Sequence, residues 1–520
     1  MSQAARSAGL VLLAAVAAMT GLAFVLPIDH DEGQYVAAAA LTARGLRPYA
    51  DFIYLQTPLQ PLLTAPIAAL AQGWSLIALR LSNALAGAGV LTLVFLIQQS
   101  LGVTTRRAAA ATALMGACYI FQFACGVARN DALPALAEVL ALAAALGALK
   151  DGEPGGRAGT TLWLLTGLAL GAAVSFKISY AIPLAGAGLF VLVGAFRRLL
   201  TWNGLLGFCA GALVGVAPCL IGLAATPGAY VFDTLIYHAT APKIWYAAIG
   251  QAARLSPLAK ASDTLLALAV GPALEVLAAV VTLAVLRIRD GAKAASSRRL
   301  IEILAVAGLV AALAPAPTQR QYFLPLLPFL FILWGLGETG LARPVPLALQ
   351  RGLAAAIAVG AMIGVGRYAY LAGDAALGLA HGVPPPPIRL TLQAHWIGQR
   401  LRAAGASGQI ATPSPQAAAD SGYPLDARLA AGPFFYRTGD LTSDDEQRAL
   451  HGVSPRTLAA VLDAAPPAAI VTGLESRQGP GGRTVDDDFR AYARLRGYQT
   501  QASPSGTVEL FIRPSATPLR

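Results

Sequence analysis

Eleven stretches of this sequence are apolar and long enough to cross a bilayer, and that number leaves few folds open. A membrane helix needs about 20 apolar residues. Such runs fall near 8–27, 76–99, 108–127, 131–149, 159–176, 178–196, 204–225, 264–287, 299–317, 321–337 and 351–372. Lys177 divides what would otherwise be one overlong run into two helices joined by a tight turn. With 56% hydrophobic and 12% charged residues, the 520-residue chain has more apolar sequence than a soluble core can bury. Residues 57–71 are apolar as well, but they are short and contain Pro58, Pro61 and Pro66, which predicts a segment lying at the interface.

Charge placement sets the expected topology. The net charge of +11 invites a nucleic-acid reading, yet only two of those charges belong to the polar region beyond residue 382. The excess lies in loops between apolar runs, at Arg106-Arg107, Lys150/Arg157, Arg197-Arg198, Arg287 to Arg299 and Arg343. The positive-inside rule makes these loops cytoplasmic. The N-terminus is then cytoplasmic, and everything beyond about residue 373 is extracytoplasmic. The apolar run within residues 1–27 lacks a small-x-small cleavage site and reads as a retained signal anchor. Cys118, Cys125, Cys209 and Cys219 all lie in apolar runs, so neither a disulfide framework nor a C-x-x-C metal site is expected.

Directly after the first run comes IDHDEGQYVAAAALTARGLRPYADFIYLQTPLQP, residues 28–61. Charge at a membrane helix end demands an explanation. Asp29 and Glu32 fit a capping box, with Asp29 as N-cap and Glu32 at N3. Asp31 is not needed for that box and is left for chemistry.

A first membrane helix followed by D-E-G-x-Y, a small-residue helix, R-x-Y-x-D-F and a Pro-rich entry to the next apolar segment resembles the first external loop of the GT-C membrane glycosyltransferases. The nearest groups are the family 39 protein O-mannosyltransferases and the lipid A aminoarabinose transferases. The matching residues are Asp31, Glu32, Gly33, Tyr35, Arg47, Tyr49, Asp51, Phe52 and Pro58. The resemblance implies a polytopic α-helical protein of about 11 transmembrane helices. Its transmembrane domain would span residues 1–380, with the first external loop at 28–75. It also implies an inverting transfer of a sugar from a polyprenyl-phosphate carrier to a lipid, glycan or protein acceptor at the extracytoplasmic face of a bacterial inner membrane. Asp31 would be the base, and Glu32 and Asp131 would orient the acceptor. A divalent metal, Mg or Mn, held by Asp31 and Asp131, is left open by the fold. Gln56-Thr57-Pro58 departs from the basic-Pro-Pro of some relatives.

Other candidates lie on the same predicted face. Arg129-Asn130-Asp131 can cap the helix that Pro134 helps to start. The resemblance makes Asp131 a second acid and Arg129 a substrate-binding group. Lys177 is either a snorkelling lysine or a cation for the carrier phosphate. In the loop 226–262, Asp233, Tyr237, His238, Lys243, Trp245 and Tyr246 form an aromatic, amphipathic segment; His238 has no second ligand at i+3 or i+4. Arg320-x-Tyr322 opens the tenth run and matches the family pattern there. Tyr35, Arg47 and Tyr54 complete the expected substrate-binding set.

Residues 381–389 read as a Pro-rich linker and 390–520 as a small α/β domain, with helices at 390–404, 455–464 and 485–497 and strands at 409–412, 468–472 and 507–513. Asp486-Asp487-Asp488 opens a helix and reads as a cap rather than a metal site. Two other functions compete. A transporter or flippase needs ionisable groups within the spans, where Glu138, Glu275 and Glu302 are the exceptions to an apolar interior. A noncatalytic assembly protein would not depend on Asp31.

Overall fold

The computed structural model describes residues 3–150, 157–291, 294–338, 341, 344–475, 479 and 482–514. Arg343 lies outside the described residues. All eleven predicted runs are helical. Seven helices are long and apolar enough to cross a membrane: Arg6–Val25, Ser75–Ser100, Ala132–Lys150, Arg157–Phe176, Ile178–Phe196, Trp202–Ala225 and Leu347–Ala380. Two further predicted spans are broken. Thr105–Ala117 and Tyr119–Gly126 meet at 68°, and Pro257–Ala269 and Ala273–Arg289 meet at 99°. Counting each as one span gives up to nine. The ninth and tenth runs are the helix Ser296–Leu313, which carries Arg298, Arg299 and Glu302 in its first two turns, and the ten-residue helix Leu327–Leu336. Hydropathy alone counts them as spans, whereas charge and length set them apart. Leu59–Ala71, with Pro66 inside it, is a 13-residue helix, shorter than a span.

The chain divides into two units. One comprises residues 1–26, 81–218 and 257–377; the other comprises 27–80, 219–256 and 378–520. The first unit is built around an all-apolar core that includes Leu22, Val94, Phe121, Val139, Leu304 and Phe329. Its two broken spans cross at their breaks. Cys118 is extended, which frees the Tyr119 N–H, and that group donates to Val270 O at 2.9 Å, itself at the other break. A backbone break among apolar helices is tolerable only when a neighbour restores its hydrogen bonds. The approach is too close for side chains. Gly271 (φ +113°) would place a Cβ 2.7 Å from Cys118 Cα, and Gly364 would place one 1.8 Å from Ala117 O. Small residues also let Arg157–Phe176 and Trp202–Ala225 pack backbone to backbone. Gly167 and Gly171 on the first and Gly207, Gly211 and Gly215 on the second are spaced by four. A Cβ on Gly211 would lie 1.9 Å from Leu164 O.

In the second unit the helix Glu32–Ala43 packs on Leu59–Ala71 and on the turn Pro415–Ala417. Ile53, Leu55, Tyr237, Ala241, Ala431, Phe435 and Leu450 form a shared apolar cluster drawn from all three of the unit's segments. The C-terminal part carries a four-stranded sheet, β1 (Ile410–Ala411), β2 (Ala469–Thr472), β3 (Gln499–Ala502) and β4 (Glu509–Ile512), in the order β1-β2-β4-β3. β1 and β2 are parallel, with Ile410 opposite Ala469; β4 is antiparallel to both β2 and β3. The expected strands are present, and β3, Gln-Thr-Gln-Ala, is added. Pro386 and Pro387 begin the helix Pro386–Ala403, so the expected polyproline spacer is reduced to the few residues before it. The helix Val485–Leu495 has a complete capping box between Thr484 and Asp487, as the aspartate run suggested. Asp486, in contrast, is buried and accepts the Glu475 N–H at 2.8 Å.

Candidate functional site

In the second unit the stretch after Pro27 turns into a helix whose first acids have separate roles. Glu32 reaches back to the Asp29 N–H (2.8 Å), which is half of the expected capping box, and the Asp29 carboxylate accepts from Asp31 N (3.3 Å). Glu32 is fully buried and paired with Arg80, whose Nε and Nη2 donate to its two oxygens at 2.7 and 2.6 Å. Arg80 is equally buried and also donates to Pro27 O at 2.8 Å. A buried bidentate pair fixes geometry. Glu32 therefore anchors the helix start, and Asp31 stands half-buried beside it.

His30 points toward the C-terminal segment. Its ring meets Phe434 edge-on at 4.7 Å, Arg437 Nη2 lies 3.4 Å from Nε2, and the buried Glu475 carboxylate is 4.0 Å from Nδ1. The Arg437 guanidinium in turn covers the Trp245 ring at 4.5 Å. Tyr35, one turn on from Asp31, is buried and meets Tyr54 edge-on at 6.5 Å. Tyr54 is buried too, and burial raises its hydroxyl pKa well above the ordinary value. Arg47 is largely exposed and closes the 47–51 turn with Asp51, whose carboxylate accepts the Arg47 N–H at 2.7 Å. Lys243 is exposed, and His238 contacts Leu55 O at 2.6 Å.

In the first unit Asp131 sits between two cations. Arg129 Nε donates to its Oδ2 at 3.1 Å, and Lys177 Nζ donates to its Oδ1. All three are at least nine-tenths buried. The backbone around them is held by side-chain amides: Asn83 donates to Val127 O and Arg129 O, and Asn130 donates to Phe176 O. The Lys177 ammonium also lies over the Tyr322 ring at 5.2 Å. Arg320 is exposed, donates to the Tyr119 hydroxyl and stands over Tyr119 and Phe123 at 4.7 and 5.3 Å. Arg367 faces Tyr119 at 3.4 Å, and its Nη1 is buried without a hydrogen-bond partner.

Arg129, Asp131, Lys177 and Tyr322 are thus brought together, with Arg320 in a second group around Tyr119. Arg80 and Arg367 were missed although each is an ionisable side chain inside an apolar run, the signal that could have found them. No group of three His, Cys, Asp or Glu side chains suited to a metal occurs among the described residues. Asp131 carries a cation on each oxygen, a setting for a salt-bridged anion rather than for a divalent-metal ligand.

No family model matches the sequence, and no curated protein does either. Solved structures match its fold along nearly the whole chain. ArnT from Cupriavidus metallidurans bound to undecaprenyl phosphate superposes with a TM-score of 0.63 and 16% identity, covering 98% of each chain. Its apo state gives 0.57 and 15%, again over 98% of both. The Archaeoglobus fulgidus oligosaccharyltransferase tethered with an acceptor peptide containing the NVT sequon gives 0.51 and 13%, over 99% of this chain and 75% of that one. The chain has the GT-C fold.

Proposed function

We propose that this protein is a membrane glycosyltransferase that moves a sugar from a polyprenyl-phosphate carrier to an acceptor at the extracytoplasmic face. One observation carries the reading: the buried Arg129 and Lys177 share the Asp131 carboxylate, and in the same largely apolar unit Arg320 and Arg367 gather around Tyr119. Cations concentrated against apolar surface suit a ligand that is a phosphate on a hydrocarbon chain. The fold is that of ArnT, a structure of which was solved with undecaprenyl phosphate.

In this reading Lys177 and Arg320 hold the departing phosphate and stabilise its growing charge, with Arg129 fixing Asp131. Asp31 takes the proton of the attacking acceptor group. The nucleophile bonds to the anomeric carbon as the carbon–oxygen bond to phosphate breaks, which inverts the configuration. Glu32 does not take part directly, because Arg80 holds both of its oxygens. Metal use is not required by these steps.

The test compares envelope glycans and lipids of a strain lacking the protein with strains carrying wild type or Asp31→Asn. The wild type restores a sugar-bearing species and Asp31→Asn, at normal protein level, does not. Equal restoration by both would overturn the assignment of the base. Glu138, fully buried with neither carboxyl oxygen hydrogen-bonded, is the residue a transporter would need. Loss of function in Glu138→Gln but not in Asp31→Asn would favour that reading instead.

A further inference from the structure

The helix that carries Asp233 is interrupted. Between Pro227–Val231 and Tyr237–Ala248 the residues Phe232–Ile236 form a π-helical turn, closed by the Tyr237 N–H donating to Phe232 O. In an α-helix five residues subtend about 500°, which would put Asp233 and His238 on different sides. One wide turn absorbs the extra residue and returns both to the same side. Each then meets a successive residue of the first stretch. Asp233 Oδ2 accepts the Tyr54 N–H at 3.0 Å, and His238 Nε2 lies 2.6 Å from Leu55 O.

The gripped segment is buried, with Ile53 and Leu55 in the unit's apolar cluster. Tyr49, at φ +66°, donates its hydroxyl to Gln56 O at 2.6 Å and so closes the loop between them. Tyr54 lies edge-on against Tyr35, which follows Asp31 by one helical turn. Asp233 is buried, and its Oδ1 has no hydrogen-bond partner, so its side chain is committed to the Tyr54 backbone through one oxygen alone. Burial raises its carboxyl pKa well above the ordinary value. A neutral carboxyl still accepts that hydrogen bond. The amide of asparagine would do the same.

We infer that Asp233 and His238 are positioning residues, which hold the backbone of Tyr54 and Leu55 and through Tyr54 and Tyr35 keep Asp31 aligned for transfer. The role in transfer rests on the reading given under Proposed function; the grip itself does not.

The test uses the full-length protein in detergent or lipid. Hydrogen exchange of the peptide covering residues 49–56 reads the grip, and recovery of the sugar-bearing species in the complemented strain reads transfer. Undecaprenyl phosphate serves as the binding probe. Asp233→Ala and His238→Ala each accelerate exchange of that peptide and reduce transfer about tenfold, with less than about threefold change in probe affinity and with expression retained. Asp233→Asn and His238→Gln, which keep the hydrogen bonds, preserve both readouts. Two results would overturn the inference: Asp233→Asn as inactive as Asp233→Ala, which would make the acid a proton carrier, or wild-type exchange in both alanine variants. If exchange accelerates while transfer never depended on Asp31, the functional reading falls and only the grip remains.

Discussion

Glu32 and Asp31 are adjacent in sequence, and the proposed function gives them opposite roles. The acids were visible in the sequence, and so was the reach of Glu32 to the Asp29 N–H. The partner that decides between them was not, because Arg80 sits within an apolar helix and 48 residues away. Removing one member of a buried ion pair leaves the other unpaired and costs about 3–5 kcal/mol. Arg80→Met should therefore lower the melting temperature and the yield of purified protein, whereas Asp31→Asn should change neither. A thermal scan in detergent checks the contrast. On the C-terminal segment, Asp463 accepts from Arg496 and Tyr492, and these hydrogen bonds lower its carboxyl pKa from 3.8 to about 2. A lowered carboxyl stabilises the fold above pH 3.8 and loses that contribution as pH falls toward 2. Wild type should be the more stable protein at neutral pH, and its melting curve should merge with that of Asp463→Asn as the solution is acidified through this window.

Elements were legible where periodicity and apolar length agreed, and less so where tertiary contacts decide. Every predicted apolar run is helical. The breaks at Cys118 and Gly271 could not be read, since each is stabilised by the other through the Tyr119 to Val270 hydrogen bond rather than by local sequence. The π-turn escaped for a similar reason: nothing in Phe-Asp-Thr-Leu-Ile announces it, and its residues bind elsewhere. β3 was missed because Gln-Thr-Gln-Ala, three polar residues in a row at a sheet edge, resembles a loop. Glycine spacing was present in the sequence, yet without the structure it did not identify which helices meet. There Gly211→Leu should separate Arg157–Phe176 from Trp202–Ala225, since even a Cβ meets backbone at 1.9 Å. Size-exclusion chromatography of the variant should show aggregation, while a leucine at Gly352, where a Cβ meets nothing within 4 Å, leaves the profile unchanged.

For the whole molecule, the loop charges predict that residues 226–262 face away from the cytoplasm. Lys243 is exposed, and the cysteines Cys118, Cys125 and Cys219 are buried, which leaves Cys209, within the apolar helix Trp202–Ala225, as the exposed thiol. A Lys243→Cys substitution in a Cys209→Ala background should react with a membrane-impermeant maleimide added to intact spheroplast-type cells from outside. Labelling only after lysis would reverse the topology and remove the basis for an extracytoplasmic reaction. Hydropathy thus made the class of fold readable, and the loop charges supply the expected face that this labelling tests. Which cations share Asp131 depends on chain segments brought together by folding.

Asp131 gives the proposed enzyme a resident anion. Bare cations would retain a spent carrier phosphate strongly, and slow departure would then limit turnover. A carboxylate already shared by Arg129 and Lys177 competes with that phosphate and shortens its stay. Asp131→Asn should accordingly bind undecaprenyl phosphate with slower dissociation, exchanging speed for residence time.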